Sequence, residues 1–138
     1  MRSRDESQAR SDFGERYAAP TGDANARIEQ SVIGAVWGAN GYTTLDQADE
    51  LGRRLRLWPG ARLLDLGTGR GWPGLYLAQQ TGCEVVGTDL PVEGLEVGRR
   101  RAHDESIGER VSLVVAGGAD LPFRPRSFDA VVHTDVLC

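Results

Sequence analysis

Leu63-Leu64-Asp65-Leu66-Gly67-Thr68-Gly69-Arg70-Gly71 is an apolar run that contains one carboxylate and then passes into glycine at every second position. Glycine leaves no side chain between backbone and ligand and tolerates the positive φ of a tight loop, so this segment predicts a strand that delivers bare main chain to a nucleotide-like molecule. A second apolar run, Val85-Val86-Gly87-Thr88, ends in Asp89. There a neighbouring parallel strand would present a carboxylate whose two oxygens can accept from both hydroxyls of a ribose. The competing role for Asp89 is to cap the helix after Leu90-Pro91. A third acidic residue, Asp120, stands in Gly118-Ala119-Asp120-Leu121-Pro122-Phe123, ahead of Ser127-Phe128-Asp129-Ala130-Val131-Val132. His133 follows that last run; an imidazole there is either a general base for a hydroxyl or amine, or a structural histidine. Thr134 and Asp135 share the same loop, whereas His103, in the polar stretch Arg99 to Glu105, reads as surface.

Short apolar runs separated by helical stretches must position these residues, which is the pattern of a parallel, doubly wound α/β sheet. Strands are expected at about 61–66, 84–89, 111–115 and 128–133, and helices at about 73–80 and 92–106. Thr81-Gly82 and Gly108 are the expected helix ends. Upstream, a helix is predicted from Asp23 through Ile28, Val32, Ile33 and Val36-Trp37, stopping at Gly38-Ala39-Asn40-Gly41. Thr44 with Gln47 forms a capping box for a helix whose Leu45, Ala48, Leu51 and Leu55 make one apolar stripe. Residues 1–22 are polar and charged, which predicts a disordered or loosely docked arm anchored only by Phe13 and Tyr17; residues 23–138 are the expected domain.

With 138 residues, 40% hydrophobic and 26% charged, the chain has room for one globular domain. The net charge of -4 argues against a surface built for phosphate backbones, so no nucleic-acid partner is expected. All 16 basic residues are arginine, which excludes a lysine nucleophile or Schiff base. Cys83 and Cys138 have no metal-ligand spacing, no metal is expected, and free thiols suit a reducing cytoplasm. Nowhere do the roughly 18 apolar residues of a membrane span run together.

Taken together, the Asp65–Gly71 loop, Asp89 and the segment 118–132 resemble the class I S-adenosylmethionine (SAM) dependent methyltransferases over roughly residues 42 to 138. The resemblance implies a Rossmann-like sheet of order 3-2-1-4-5-7-6 and SAM as cofactor. It implies that Gly67, Gly69 and Gly71 cradle the amino-acid and ribose part of SAM, with Asp65 at the mouth of the site attracting its ammonium group directly or through water. Asp89 would hold the ribose, Leu90 would pack on the adenine, and Asp120, beside the Ala119 and Leu121 backbone, would accept from the adenine amino group. Tyr42 and Trp37 resemble residues near the SAM carboxylate or entrance, or are plain core aromatics. His133 would stand near the transferred methyl as the candidate catalytic residue.

Gly69-Arg70-Gly71-Trp72-Pro73-Gly74 also spells the dinucleotide fingerprint, but in the register that starts at the strand end Trp72 occupies the third glycine position. Asp65 would repel a pyrophosphate, and Pro73 removes an N–H a phosphate would use. Four strands are fewer than the seven the resemblance implies, which suggests either a fragment carrying the N-terminal half of the fold or an open sheet edge completed by a partner, including a second copy of the chain. The implied activity is methyl transfer to an O, N or C nucleophile of a small molecule. The alternatives are a non-catalytic SAM-binding or interaction module and, further off, a dinucleotide-dependent oxidoreductase.

Overall fold

The computed structural model describes residues 4–39 and 41–136; Cys138 lies outside them. Helices α1 (Arg4–Ala18), α2 (Asp23–Ile33) and α3 (Leu45–Arg54) precede β1 (Arg62–Leu66), α4 (Gly74–Thr81), β2 (Glu84–Asp89), α5 (Val92–Asp104), β3 (Val111–Val115) and β4 (Ala130–His133). The four strands are parallel and ordered β3-β2-β1-β4, with Leu64 opposite Val86 on one side and Val131 on the other. This is an α/β Rossmann-like sheet, and its winding direction reverses between β1 and β4.

Alternation along the strands assigns the two faces. Leu63, Asp65, Val85 and Val132 stand on the face covered by α4 and α5, where Leu63, Leu75, Leu77 and Val85 are at most 1% exposed. Gly82 ends α4 at φ 75° with its N–H on the Ala78 carbonyl. Asp129 fastens β4 to β1 through its backbone N–H to the Arg62 carbonyl and through its carboxylate, which accepts from the Arg62 N–H at 2.8 Å.

The capping box of α3 forms as expected: the Gln47 N–H donates to Thr44 Oγ1 and the Thr44 N–H to Gln47 Oε1. The helix from Asp23 is shorter than its apolar spacing suggests. Gly34, at φ 85°, ends it with an N–H donated to the Gln30 carbonyl, leaving Val36 and Trp37 in the connection. Its buried residues are Ile33 and Glu29, while Ile28 and Val32 are more than half exposed. Glu29 is buried because Oε1 accepts from the backbone of Trp37 (2.7 Å) and Ala39 (2.9 Å), thereby shaping that connection. Trp37 joins Trp72 and Tyr76 in an aromatic cluster with centroids 5.4 to 6.1 Å apart, so it is a core residue.

The N-terminal segment corrects the expectation of a loose arm. Residues 4–18 form a helix that packs on α5, with Tyr17 only 8% exposed. Two glycines permit the approach: a Cβ on Gly94 would lie 2.9 Å from the Tyr17 ring, and one on Gly14 would lie 3.1 Å from the Glu93 carboxylate.

Candidate cofactor site

A cavity of about 600 Å³ opens at the carboxyl ends of the parallel strands and draws on all four following loops. Leu66 ends β1 and Gly67–Arg70 with Trp72 follow it, Asp89 ends β2 and Leu90 and Pro91 follow it, Ala116–Ala119 follow β3, and Thr134–Val136 follow β4. Ala9, Phe13 and Tyr17 of α1, with Ala39 and Gly41, form the remaining wall. Open parallel sheets bind ligands at this place, where the loops of neighbouring strands diverge.

The glycine loop is held by β2. The Gly67 and Thr68 N–H groups both donate to the Thr88 carbonyl, at 2.8 and 2.9 Å. Gly69 lies at φ 55°, in the left-handed region, and its N–H donates to Asp89 Oδ2 at 2.7 Å. A Cβ there would approach the Tyr17 hydroxyl to 3.0 Å. Asp89 Oδ1 accepts from the Leu90 N–H at 2.8 Å. Each carboxylate oxygen thus spends one acceptor position on the backbone and keeps another for a ligand. Burial pushes the Asp89 carboxyl above its ordinary value, against the two N–H bonds that favour its charge.

Asp65 is not at the mouth of the site. It stands on the α4 face of β1, 1% exposed, and Oδ2 accepts from the Thr68 hydroxyl (2.7 Å) and the Gly74 N–H (3.0 Å). Its other oxygen is buried with no protein partner. Burial raises its carboxyl to about 7, opposed by the Thr68 and Gly74 bonds and reinforced by the nearby Asp89. Asp65 therefore braces the glycine loop from behind, against the start of α4.

Gly71 also serves packing rather than a ligand: at φ 101°, its Cβ would meet the Leu75 side chain at 2.8 Å. Of the other expected site residues, Gly67, Gly69, Asp89, Leu90 and Ala119 line the cavity, while Asp120, Leu121 and His133 do not. A turn closed by the Asp120 N–H on the Gly117 carbonyl gives Ala119 to the wall and leaves Asp120 exposed. His133, the candidate catalytic residue, ends β4 exposed outside the cavity, and it is Thr134, Asp135 and Val136 that reach the wall. Tyr42 is 81% exposed and outside the cavity as well.

Thr134 and Asp135, named in the sequence beside His133, reach the wall, whereas Arg70 and the α1 residues were not expected there. Asp135 adopts φ 55° and its Oδ2 accepts from the Tyr42 N–H, the Thr43 N–H and the Thr43 hydroxyl, fastening residues 42–43 to the end of β4. Arg70 reaches the carbonyls at the end of α1. Phe13 and Tyr17, spaced four apart with ring centroids 6.0 Å apart, were legible as one aromatic face, but not as a wall of this cavity.

The donor set fits SAM better than a dinucleotide. A pyrophosphate needs free N–H groups at the first turn of α4, yet residue 73 is proline, the Gly74 N–H is given to Asp65, and the Leu75 N–H to the Gly71 carbonyl. Asp89 offers acceptors for ribose hydroxyls, Leu90 and Ala119 offer apolar contact for a purine, and Gly67 and Gly69 offer main chain. Among the described residues no group of His, Cys, Asp or Glu is placed to hold a metal ion, and no helix is long and apolar enough to cross a membrane.

Comparison with known proteins agrees with this geometry. A family model described as a methyltransferase domain matches residues 63–138. The chain is 37% identical over 83 residues to Methyltransferase GfsG of Streptomyces halstedii, covering 60% of this chain and 30% of that protein. It is 32% identical over 113 residues to the 27-O-demethylrifamycin SV methyltransferase of Amycolatopsis mediterranei, covering 72% and 42%. A SAM-dependent methyltransferase from Thiobacillus denitrificans, solved with S-adenosyl-L-homocysteine, superposes with a TM-score of 0.64 at 28% identity, covering 79% of this chain and 43% of that one. A geranyl diphosphate methyltransferase solved with SAM gives 0.63 at 28% identity, covering 86% and 46%. The chain thus spans less than half the length of each of these relatives. With the family match covering more than half of its residues and the sheet order and cavity in agreement, the chain belongs to the class I SAM-dependent methyltransferases.

Proposed function

We propose that the chain forms the cofactor half of an enzyme that transfers a methyl group from SAM to an oxygen, nitrogen or carbon nucleophile of a small molecule. The observation that carries the reading is Asp89: a part-buried carboxylate on the cavity wall, pinned by the Gly69 and Leu90 N–H groups with acceptor capacity to spare. Asp89 would take the ribose hydroxyls, Leu90 and Ala119 would flank the adenine, and Gly67 and Gly69 would admit the remainder against bare main chain. SAM supplies an electrophilic methyl on a sulfonium leaving group. The protein's part is then to hold the nucleophile in line and exclude water, and Phe13 and Tyr17 of α1 close the cavity for that purpose. His133 is outside the cavity, so no proton transfer is assigned to it.

Small acceptors are supported by the names of the relatives, which include a rifamycin methyltransferase and a probable fatty acid methyltransferase from Pseudomonas putida, and by the net negative charge. The test is incubation of the purified chain with SAM carrying a labelled methyl, beside separate pools of hydroxylated polyketides, quinols, unsaturated fatty acids, bulk RNA and protein. Label in a small-molecule pool is expected; label confined to RNA or protein would refute the acceptor class.

One observation favours a second reading, a SAM-binding module that completes its sheet with a partner. Among the described residues β4 pairs only with β1, and Val131 on it is 52% exposed. That reading predicts SAM binding by a stable oligomer without turnover.

A further inference from the structure

The guanidinium of Arg70 leaves the glycine loop and reaches the end of α1. Nε and Nη2 both donate to the Tyr17 carbonyl, at 3.1 and 2.8 Å, and Nη2 also lies 2.9 Å from the Arg16 carbonyl and 2.8 Å from that of Ala19. Nη1 donates to the Thr21 hydroxyl at 3.2 Å. The last carbonyls of a helix have no partners within it and form the negative end of its dipole, so a planar cation with a fork of donors suits this end. The guanidinium carbon also stands 5.9 Å from the centre of the Tyr17 ring.

Arg70 occupies the x of Gly69-x-Gly71, between two residues at positive φ, so the backbone it springs from is the backbone that faces the cavity. On the other side of this contact, Tyr17 lies against Gly69 and Gly94 and, with Phe13, walls the same cavity. The outer face of α1 is exposed, Phe13 is 37% exposed, and the inner face packs on α5 through Gly14 and Tyr17, so Arg70 adds a polar anchor at the helix end. The loop that meets the ligand and the helix that covers it are therefore joined by the packing of Tyr17 on Gly69 and by the hydrogen bonds of Arg70.

We propose that Arg70 is a positioning residue that couples occupancy of the glycine loop to the seating of α1, so that ligand bound against Gly69 tightens the α1 wall and α1 seating tightens binding in return. This rests on the cofactor reading above and assigns a role to a residue that reading does not use. Thermodynamic reciprocity requires both effects to be equal in size.

The test compares the intact chain with Arg70→Gln and Arg70→Lys by two measurements. One is calorimetric titration with S-adenosylhomocysteine; the other is amide hydrogen exchange across residues 6–18 with and without that ligand. In the unsubstituted chain the ligand should slow exchange throughout α1. In Arg70→Gln, which loses a cation bonded to three carbonyls, this slowing should vanish and Kd should rise at least about tenfold. Arg70→Lys keeps the charge at the helix end and should restore part of both effects. Unchanged exchange in β1 and β2 establishes that each variant is folded. The coupling is overturned if the ligand binds the unsubstituted chain without protecting α1, or if Arg70→Gln binds and protects as that chain does. Absence of binding to the unsubstituted chain overturns the cofactor reading, and the coupling with it.

Discussion

Replacing Asp65 by asparagine should stabilise the protein at alkaline pH and leave it unchanged in acid. The carboxyl is 1% exposed, one oxygen has no protein partner, and the bonds from Thr68 and Gly74 do not offset the loss of water, so its value rises from 3.8 to about 7. Folding therefore favours the neutral acid. Below the unfolded value no penalty exists; as pH rises from about 4 to about 7 the unfolded chain loses its proton first and stability falls, and above the folded value the loss is constant. A rise of about three units corresponds to about 4 kcal/mol at pH 8, falling to about 2 kcal/mol at pH 5. Asparagine keeps an oxygen for Thr68 and Gly74 and removes the charge. Urea unfolding at pH 5 and pH 8 should thus show Asp65→Asn more stable than the parent, with the margin growing by about 2 kcal/mol between the two. Asp89, raised by burial, has the same sign in both proteins and contributes little to their difference. A margin that does not change with pH, or a variant less stable at pH 8, would show that the Asp65 charge is compensated in the folded protein.

Three further substitutions test the geometry. Gly71→Ala must adopt φ 101° and place a Cβ 2.8 Å from Leu75, so it should destabilise the fold by more than about 2 kcal/mol, read as a lowered urea midpoint. Leu63→Ala removes a fully buried side chain from the central strand and should cost about 2–5 kcal/mol by the same assay. His133→Ala should leave the affinity for S-adenosylhomocysteine within about twofold by calorimetry, because the ring is exposed and outside the cavity.

Much of the architecture was legible because it follows from local rules. The short apolar runs ending at Leu66 and Asp89 set β1 and β2, Thr44 with Gln47 set the start of α3, and Gly82 set the end of α4. Asp89 was legible as a wall residue because it ends β2, and the carboxyl ends of parallel strands face the ligand crevice. What escaped depends on docking between segments. Asp65 was expected at the cavity, but once α4 packs over β1 the alternation turns it inward, onto the Gly74 N–H. Glu29 reads as a polar helix position until the connection folds back and offers it the N–H groups of Trp37 and Ala39. Arg70 has no local partner in the sequence between its two glycines, and its partners lie about fifty residues upstream, at Arg16, Tyr17 and Ala19. The polarity of residues 1–22 suggested a loose arm because neither the Arg70 bonds to the end of α1 nor the close approach at Gly94 has a local signature.

The proposed SAM site is this cavity, with Asp89 holding the ribose. Calorimetric titration of the purified chain with S-adenosylhomocysteine, beside NAD as control and Asp89→Ala as variant, tests it most directly. Saturable binding of S-adenosylhomocysteine is expected, none of NAD, and a loss of at least about a hundredfold in the variant, which forfeits two hydrogen bonds to a charged group. Binding of NAD in preference, or equal binding of S-adenosylhomocysteine by chain and variant when both are folded by circular dichroism, would contradict it.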